Sequence, residues 1–322
     1  MKALSNYPSP WFGVHVYLGE GPRDSRALAQ ALPGMRAVGI NSLVVEVNYH
    51  YAYRSHPELS TPASASREDI RALLKVARQE GVRLVPQFNC LGHQSWAEHT
   101  FPLLARYPEL DETSGQYPNN QGIYCRSWCP RHPQVNPSIF ALFDELIEIF
   151  EADAFHVGMD EVFLIASEHC PRCRGSQTGE VFAEAVNAYH DFLVIKSGVE
   201  MLMWGDRLLD DTVVGYGEWE SARNGTHTAL PLVPHDIILC DWHYELMPDY
   251  PSIALLINAG FRVWPGGWRN TTSTEALLAC EQRHAGEKLL GHMCTTWGAV
   301  AIDQISAWPP VLAAAHQLGF LK

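Results

Sequence analysis

The chain has 322 residues, 47% of them hydrophobic and only 18% charged, so it can bury one large barrel core or two ordinary ones. Its formal net charge of −13 argues against a nucleic-acid partner, which is met by clustered Lys and Arg; no run of 18 uninterrupted apolar residues marks a membrane span. The segment from Met1 to Trp11 lacks the apolar stretch of a secretory signal, and a cytoplasmic protein is therefore expected.

Apolar strand-like runs alternate with amphipathic helix-like runs to the carboxyl terminus. Strands are predicted at 12–18, 42–47, 83–88, 154–157, 201–204, 237–240, 262–264 and 290–295. Helices are predicted at 25–38, 67–79, 137–150, 180–197, 250–258, 274–284 and 304–318, while 207–216 offers no clean helical face. Parallel strands need crossover connections, and closure removes the sheet edges, so the pattern implies an α/β fold: a single (β/α)8 TIM barrel spanning 1–322 as one catalytic domain. A doubly wound open sheet is the structural alternative. No G-x-G-x-x-G or P-loop pattern supports that sheet's usual nucleotide chemistry.

The fourth strand, Phe155-His156-Val157-Gly158, runs through Met159 into two adjacent carboxylates, Asp160 and Glu161. Neighbours on a strand point to opposite faces, yet a turn at the strand's carboxyl end lets both acids reach one cavity. Two carboxylates at one site can be driven to different protonation states, one an anion and one a proton donor. The structural alternative is an Asp-Glu pair capping the following helix. In a barrel the active site lies at this end of the strands, and polar and aromatic residues gather there. Glu46, Asn48 and Tyr49 follow the second strand; Gln87, Asn89 and His93 the third; Trp204 and Asp206 the fifth; Asp241, Trp242 and Tyr244 the sixth; Trp264 and Trp268 the seventh; Trp297 the eighth. Aromatic walls suit the apolar C–H faces of a sugar, and the polar groups between them suit its hydroxyls.

The segment His156-Val157-Gly158-Met159-Asp160-Glu161 resembles the H-x-G-G-D-E signature of family 20 glycoside hydrolases, the β-N-acetylhexosaminidases. The run from Leu84 to Gly92-His93 is similar to that family's third-strand pattern, and the absence of an extra amino-terminal domain resembles the compact hexosaminidase D-like branch. The resemblance implies exo-hydrolysis of terminal β-linked GlcNAc or GalNAc with retention, through an oxazolinium intermediate formed by the substrate's own 2-acetamido group. Glu161 would be the general acid and base, and Asp160 would orient the acetamide. Tyr244 would bond the acetamide oxygen, while Trp204, Trp242 and Trp297 would wall the acetamide and ring. His93, Asp206 and Trp264 complete the expected substrate contacts, and His156 is expected to act as a hydrogen-bond partner behind the acids. Three departures stand out. Met159 replaces a glycine, no Glu follows Trp297, and the first strand lacks a terminal Arg, with Arg23 a distant substitute.

No cofactor is expected for catalysis. Cys125-x-x-x-Cys129 and Cys170-Pro-Arg-Cys173 lie on adjacent loops, and their four thiols suit a structural zinc, with unpaired thiols or disulfides as the other readings. The expected partners are N-acetylhexosamine-containing glycans or glycosides, with no nucleic acid and no membrane. Two other classes fit parts of the pattern: a non-catalytic sugar-binding barrel, and a metal-dependent barrel hydrolase, for which neither an H-x-H pair on the first strand nor an H-E-x-x-H is found.

Overall fold

A computed structural model describes residues 10–322; the reading of Met1 to Ser9 as free of a signal lies outside the described residues. Eight parallel strands form the sheet: β1 (Trp11–Tyr17), β2 (Ser42–Glu46), β3 (Arg83–Cys90), β4 (Ala154–Gly158), β5 (Glu200–Trp204), β6 (Ile238–Cys240), β7 in two pieces (Arg262–Val263 and Gly266–Gly267) and β8 (Gly291–Thr295). Each pairs with its sequence neighbours, and β1 pairs with both β2 and β8. The ring closes through β7, whose first piece pairs with β6 and whose second pairs with β8. Pro265, which has no N–H, divides the two pieces. The ladder still continues across it, because Trp264 N donates to Leu239 O at 2.9 Å and Pro265 O accepts from Met293 N at 2.8 Å.

Side chains of alternating parity sort into two cores, as strand geometry requires. Phe12, Val14, Val16, Phe155, Val157, Met201 and Met203 face outward into the large cluster shared with the helices. Trp11, Val44, Val85, Leu202, Trp204, Trp264 and Met293 fill the barrel interior. Among the described residues seven helices of eight residues or more cover the outside: α1 (Pro22–Ala37), α2 (Arg67–Glu80), α3 (Val135–Phe150), α4 (Thr178–His190), α5 (Pro251–Asn258), α6 (Thr271–Arg283) and α7 (Pro309–Gln317). Their termini follow local chemistry. Ser66 and Asp69 close a capping box on α2, and Gly81 ends it in the left-handed region at φ 66°. Proline occupies the first turn of α1, α5 and α7, where its missing N–H costs nothing. After β5 the crossover is built from short helical turns, at Asp206–Leu208, Asp211–Val214, Gly217–Glu220 and Thr226–Leu232. Among the described residues no helix is long and apolar enough to cross a membrane.

Candidate active site

The acids are delivered by a turn, not by the strand itself. Gly158 and Met159 sit at φ 68° and 73°, and Glu161 at 50°, so the chain folds back on itself as soon as β4 ends. Glycine is required at the first of these positions twice over: a Cβ on Gly158 would lie 2.6 Å from Asn89 Oδ1, and the left-handed conformation penalises any side chain. Met159 accepts that conformation at a cost of about 1–2 kcal/mol, offset by full burial of its side chain in the core.

This turn sets Asp160 Oδ2 and Glu161 Oε2 each 3.2 Å from His93 Nε2. Burial disfavours a charge on His93, but Asp160 and then Glu161 outweigh it and hold the imidazolium well above its ordinary 6.5. Burial likewise opposes charge on Asp160, yet His93 keeps its carboxyl below the usual range. Asp160 Oδ1 is buried with no partner among the described residues. The Glu161 N–H is fixed by Asp206 Oδ2 at 2.9 Å. His156, buried beneath, accepts the Gly158 N–H on Nδ1 at 3.0 Å; burial pushes its pKa down to about 3, so it serves as a neutral acceptor.

Around the acids opens a cavity of about 640 Å³, lined among others by Tyr17, Glu46, Asn48, Trp96, Tyr124, Trp242, Tyr244, Trp268 and Trp297. Trp242 and Tyr244 lie with ring centroids 4.8 Å apart, and the Tyr244 hydroxyl accepts a hydrogen bond from Trp297 Nε1. Burial raises the hydroxyl pKa of Tyr17, Tyr124 and Tyr244, so all three present O–H donors to the cavity. Below Tyr244, its N–H donates to Glu220 Oε1 at 3.1 Å, and the other oxygen of Glu220 meets His243 at 2.7 Å.

Of the residues expected from the sequence, His93, Asp160, Glu161, Trp242, Tyr244 and Trp297 line the cavity, and three do not. Trp204 is wholly buried in the barrel interior, 4.6 Å from the His156 ring and 5.8 Å from Trp297, so it supports the wall and does not form it. Trp264 is also interior, its Nε1 bonded to Trp11 O at 3.3 Å, and Trp268 is the tryptophan after this strand that lines the cavity. Asp206 is buried behind Glu161, held by Arg207 Nε at 2.7 Å and by Trp242 Nε1 at 3.3 Å; burial lifts its carboxyl to about 6 against the pull of Arg207. Asp206 is a positioning residue. Arg23 is exposed and paired with Glu20, and it does not line the cavity.

Sequence reasoning passed over Tyr17 and Tyr124. Tyr17 ends β1 and could have been found from that position; Tyr124 sits in the long loop after β3, where no periodicity flags it. Glu46 was legible as a rim residue, and the structure makes it a hub: it accepts from Asn48 at 2.7 Å, Asn89 at 3.0 Å and Gln87 at 3.3 Å, and meets His15 at 2.9 Å.

The four cysteines expected to act together do not. Cys129, Cys170 and Cys173 cluster with Glu112, whereas the Cys125 Sγ contacts the backbone oxygen of Glu161 at 3.8 Å. Three residues lie between Cys125 and Cys129, and the segment carries the two side chains to different neighbours.

A closed parallel barrel with adjacent carboxylates under an aromatic wall at the carboxyl rim belongs to the class of barrels that carry acid–base chemistry at this end. The chain matches the glycosyl hydrolase family 20 catalytic domain over residues 33–317 and belongs to that family. It is 22% identical over 244 residues to a β-hexosaminidase of Akkermansia muciniphila, covering 71% of this chain and 46% of that protein. It is 24% identical over 204 residues to human hexosaminidase D, covering 61% of this chain and 40% of the other. The chain thus spans half or less of the length of these relatives. The crystal structure of a chitobiase from Flavobacterium johnsoniae superposes with a TM-score of 0.68 at 19% identity, covering 96% of this chain and 48% of that one; at that identity the likeness establishes the barrel alone.

Proposed function

We propose that the chain is a retaining exo-β-N-acetylhexosaminidase that removes terminal β-linked GlcNAc or GalNAc by substrate-assisted catalysis. The observation that carries the reading is the pairing of Glu161 with Asp160, whose Oδ1 is an unpartnered buried acceptor beside the cavity, in a family 20 chain. The N–H of a 2-acetamido group is the donor that acceptor suits. In this reading Glu161 gives its proton to the glycosidic oxygen as the acetamide carbonyl oxygen attacks the anomeric carbon and the aglycone leaves as an alcohol. Asp160, an anion paired with the His93 imidazolium, holds the acetamide nitrogen and stabilises the oxazolinium charge. Glu161, now a carboxylate, takes a proton from water as it opens the ring, and two inversions return the original configuration. Tyr244 and Tyr124 supply O–H donors, and Trp242 and Trp297 exclude water around the acetamide.

A cavity of about 640 Å³ is in the range of small-molecule sites and suits one or two sugar rings. The nucleophile comes from the substrate, so the scheme needs no cofactor. His93, Asp160 and Glu161 also lie close enough to hold a cation, which a metal-dependent hydrolase would require. An imidazolium whose positive charge already faces both carboxylates opposes that use. A cytoplasmic location is part of this proposal and is supported by three buried thiols gathered at one point, an arrangement that persists in a reducing compartment.

The test compares aryl β-N-acetylhexosaminides with matched 2-hydroxy glycosides. The former are expected to be cleaved and the latter not, and successive fluorination of the acetamide is expected to slow turnover stepwise because each fluorine withdraws electrons from the attacking oxygen. A thiazoline analogue of the cyclised intermediate should bind far more tightly than substrate. Equal cleavage of 2-hydroxy glycosides would overturn the assignment, and absence of all turnover would favour a sugar-binding barrel.

A further inference from the structure

The cluster of Glu112, Cys129, Cys170 and Cys173 lies outside the cavity and has no part in the proposed reaction. Its four donor atoms lie within 4.8 Å of one another. All four residues are buried, with exposures of 0–1%. The Cys129 Sγ is 3.5 Å from the Cys173 Sγ and 3.4 Å from the Cys170 Sγ. A disulfide requires about 2.05 Å, whereas two thiolates on a tetrahedral zinc, each about 2.3 Å from the metal, stand about 3.8 Å apart. The observed spacings are thus a few tenths of an ångström from the metal-bound arrangement and well over an ångström from the disulfide.

Glu112 is the second, independent pointer. One carboxylate oxygen, Oε1, accepts the Ser167 N–H at 2.9 Å, and the other, Oε2, is buried without a partner among the described residues. A buried carboxylate oxygen with no donor is costly, and a cation between it and the three sulfurs removes that cost. Arg131, fixed by two 2.7 Å bonds to Glu184, offers positive charge beside the cluster.

We propose that Glu112, Cys129, Cys170 and Cys173 form a structural zinc site that ties the loop after β3 to the loop after β4. Three sulfurs and one oxygen select zinc over magnesium or calcium, which take six or more oxygens. The site also has a mechanical consequence. The segment carrying Cys129 is bonded to the His93 loop through Trp128 N to Leu91 O at 3.0 Å and Gln94 N to Arg126 O at 3.0 Å, while Cys170 and Cys173 follow Glu161 on the other loop. One metal therefore fixes both loops that frame the acids.

The experiment measures metal in protein purified under reducing conditions with no chelator and no added metal. About one zinc per chain is expected, and X-ray absorption at the zinc edge should show three sulfur neighbours and one oxygen. Cys173→Ser and Glu112→Gln should each lower zinc content at least several-fold, while Cys125→Ser retains it. Should the variants fail to fold, cobalt substitution of the unaltered protein tests the same point, since it should give thiolate-to-metal charge-transfer absorption. Folded, zinc-free protein with three titratable cluster thiols would overturn the proposal, as would a four-sulfur site lost in Cys125→Ser, or zinc undiminished in Cys173→Ser.

Discussion

His93 is held between two carboxylates, and its protonation is therefore a stability statement. Its folded pKa lies well above the ordinary 6.5, so its contribution is fully present below 6.5 and is lost as pH rises through the folded value. Asp160 is held below its ordinary 3.8, so its contribution is present above 3.8 and is lost as pH falls through its folded value. Both are complete between about pH 4 and 6.5. His93→Gln should therefore cost about 2 kcal/mol in that window, with the deficit shrinking toward alkaline pH in thermal melts taken across the range. A pH-independent deficit would count against the imidazolium. Glu161→Gln should leave the fold intact and lower turnover by roughly 10²–10⁴-fold on substrates with poor leaving groups. The loss should be smaller with an activated aryl leaving group, which needs little protonation; equal loss on both would remove the general-acid role. Both acids and His93 could be read from the sequence because short motifs carry them at strand ends. Tyr124 could not, since a residue in a long loop reaches a site through tertiary folding alone.

At the level of elements, the seven helices and eight strands announce themselves by period, and the crossover after β5 does not, for a physical reason. Residues 207–232 have no continuous helical apolar face, for Leu208, Leu209, Val214 and Ala229 enter the core from separate short turns; they are organised around the wholly buried Arg207. Its Nη2 donates to Glu218 O at 2.7 Å, Trp219 O at 2.8 Å and Ser221 O at 2.6 Å, and its Nε donates to Asp206 at 2.7 Å. A charged residue standing in for a helix leaves no hydrophobic pattern to read. The same arrangement reaches the chemistry, because Asp206 fixes the Glu161 backbone. Arg207→Met should cost about 3–5 kcal/mol by leaving Asp206 buried and unpaired, measurable by denaturant unfolding, and should lower kcat more than it changes KM. An unaltered kcat in folded Arg207→Met would separate this crossover from the positioning of the acid.

For the whole molecule, the barrel was legible and its filling was not. Strand parity sends Trp204 and Trp264 inward, but a sequence cannot show whether an aromatic near a strand end tops the barrel or plugs it. That depends on what stands opposite, and opposite Trp264 stands Gly13 on β1, where an added Cβ would lie 2.2 Å from Trp264 Cζ2. The ring therefore closes around one large and one absent side chain, as interdigitating layers require. The pair makes a double-mutant prediction. Gly13→Ala alone should destabilise by about 1–3 kcal/mol through overpacking, and Trp264→Leu alone by roughly 3 kcal/mol through the cavity it leaves. Combined, the alanine methyl enters the space vacated by the indole, so the double variant should be more stable than the sum of the single losses predicts, with a coupling of about 1 kcal/mol or more. Denaturant unfolding of the four proteins measures this directly. Additivity within about 0.5 kcal/mol would mean that Trp264 does not occupy the space beside Gly13, and that this plug does not close the barrel.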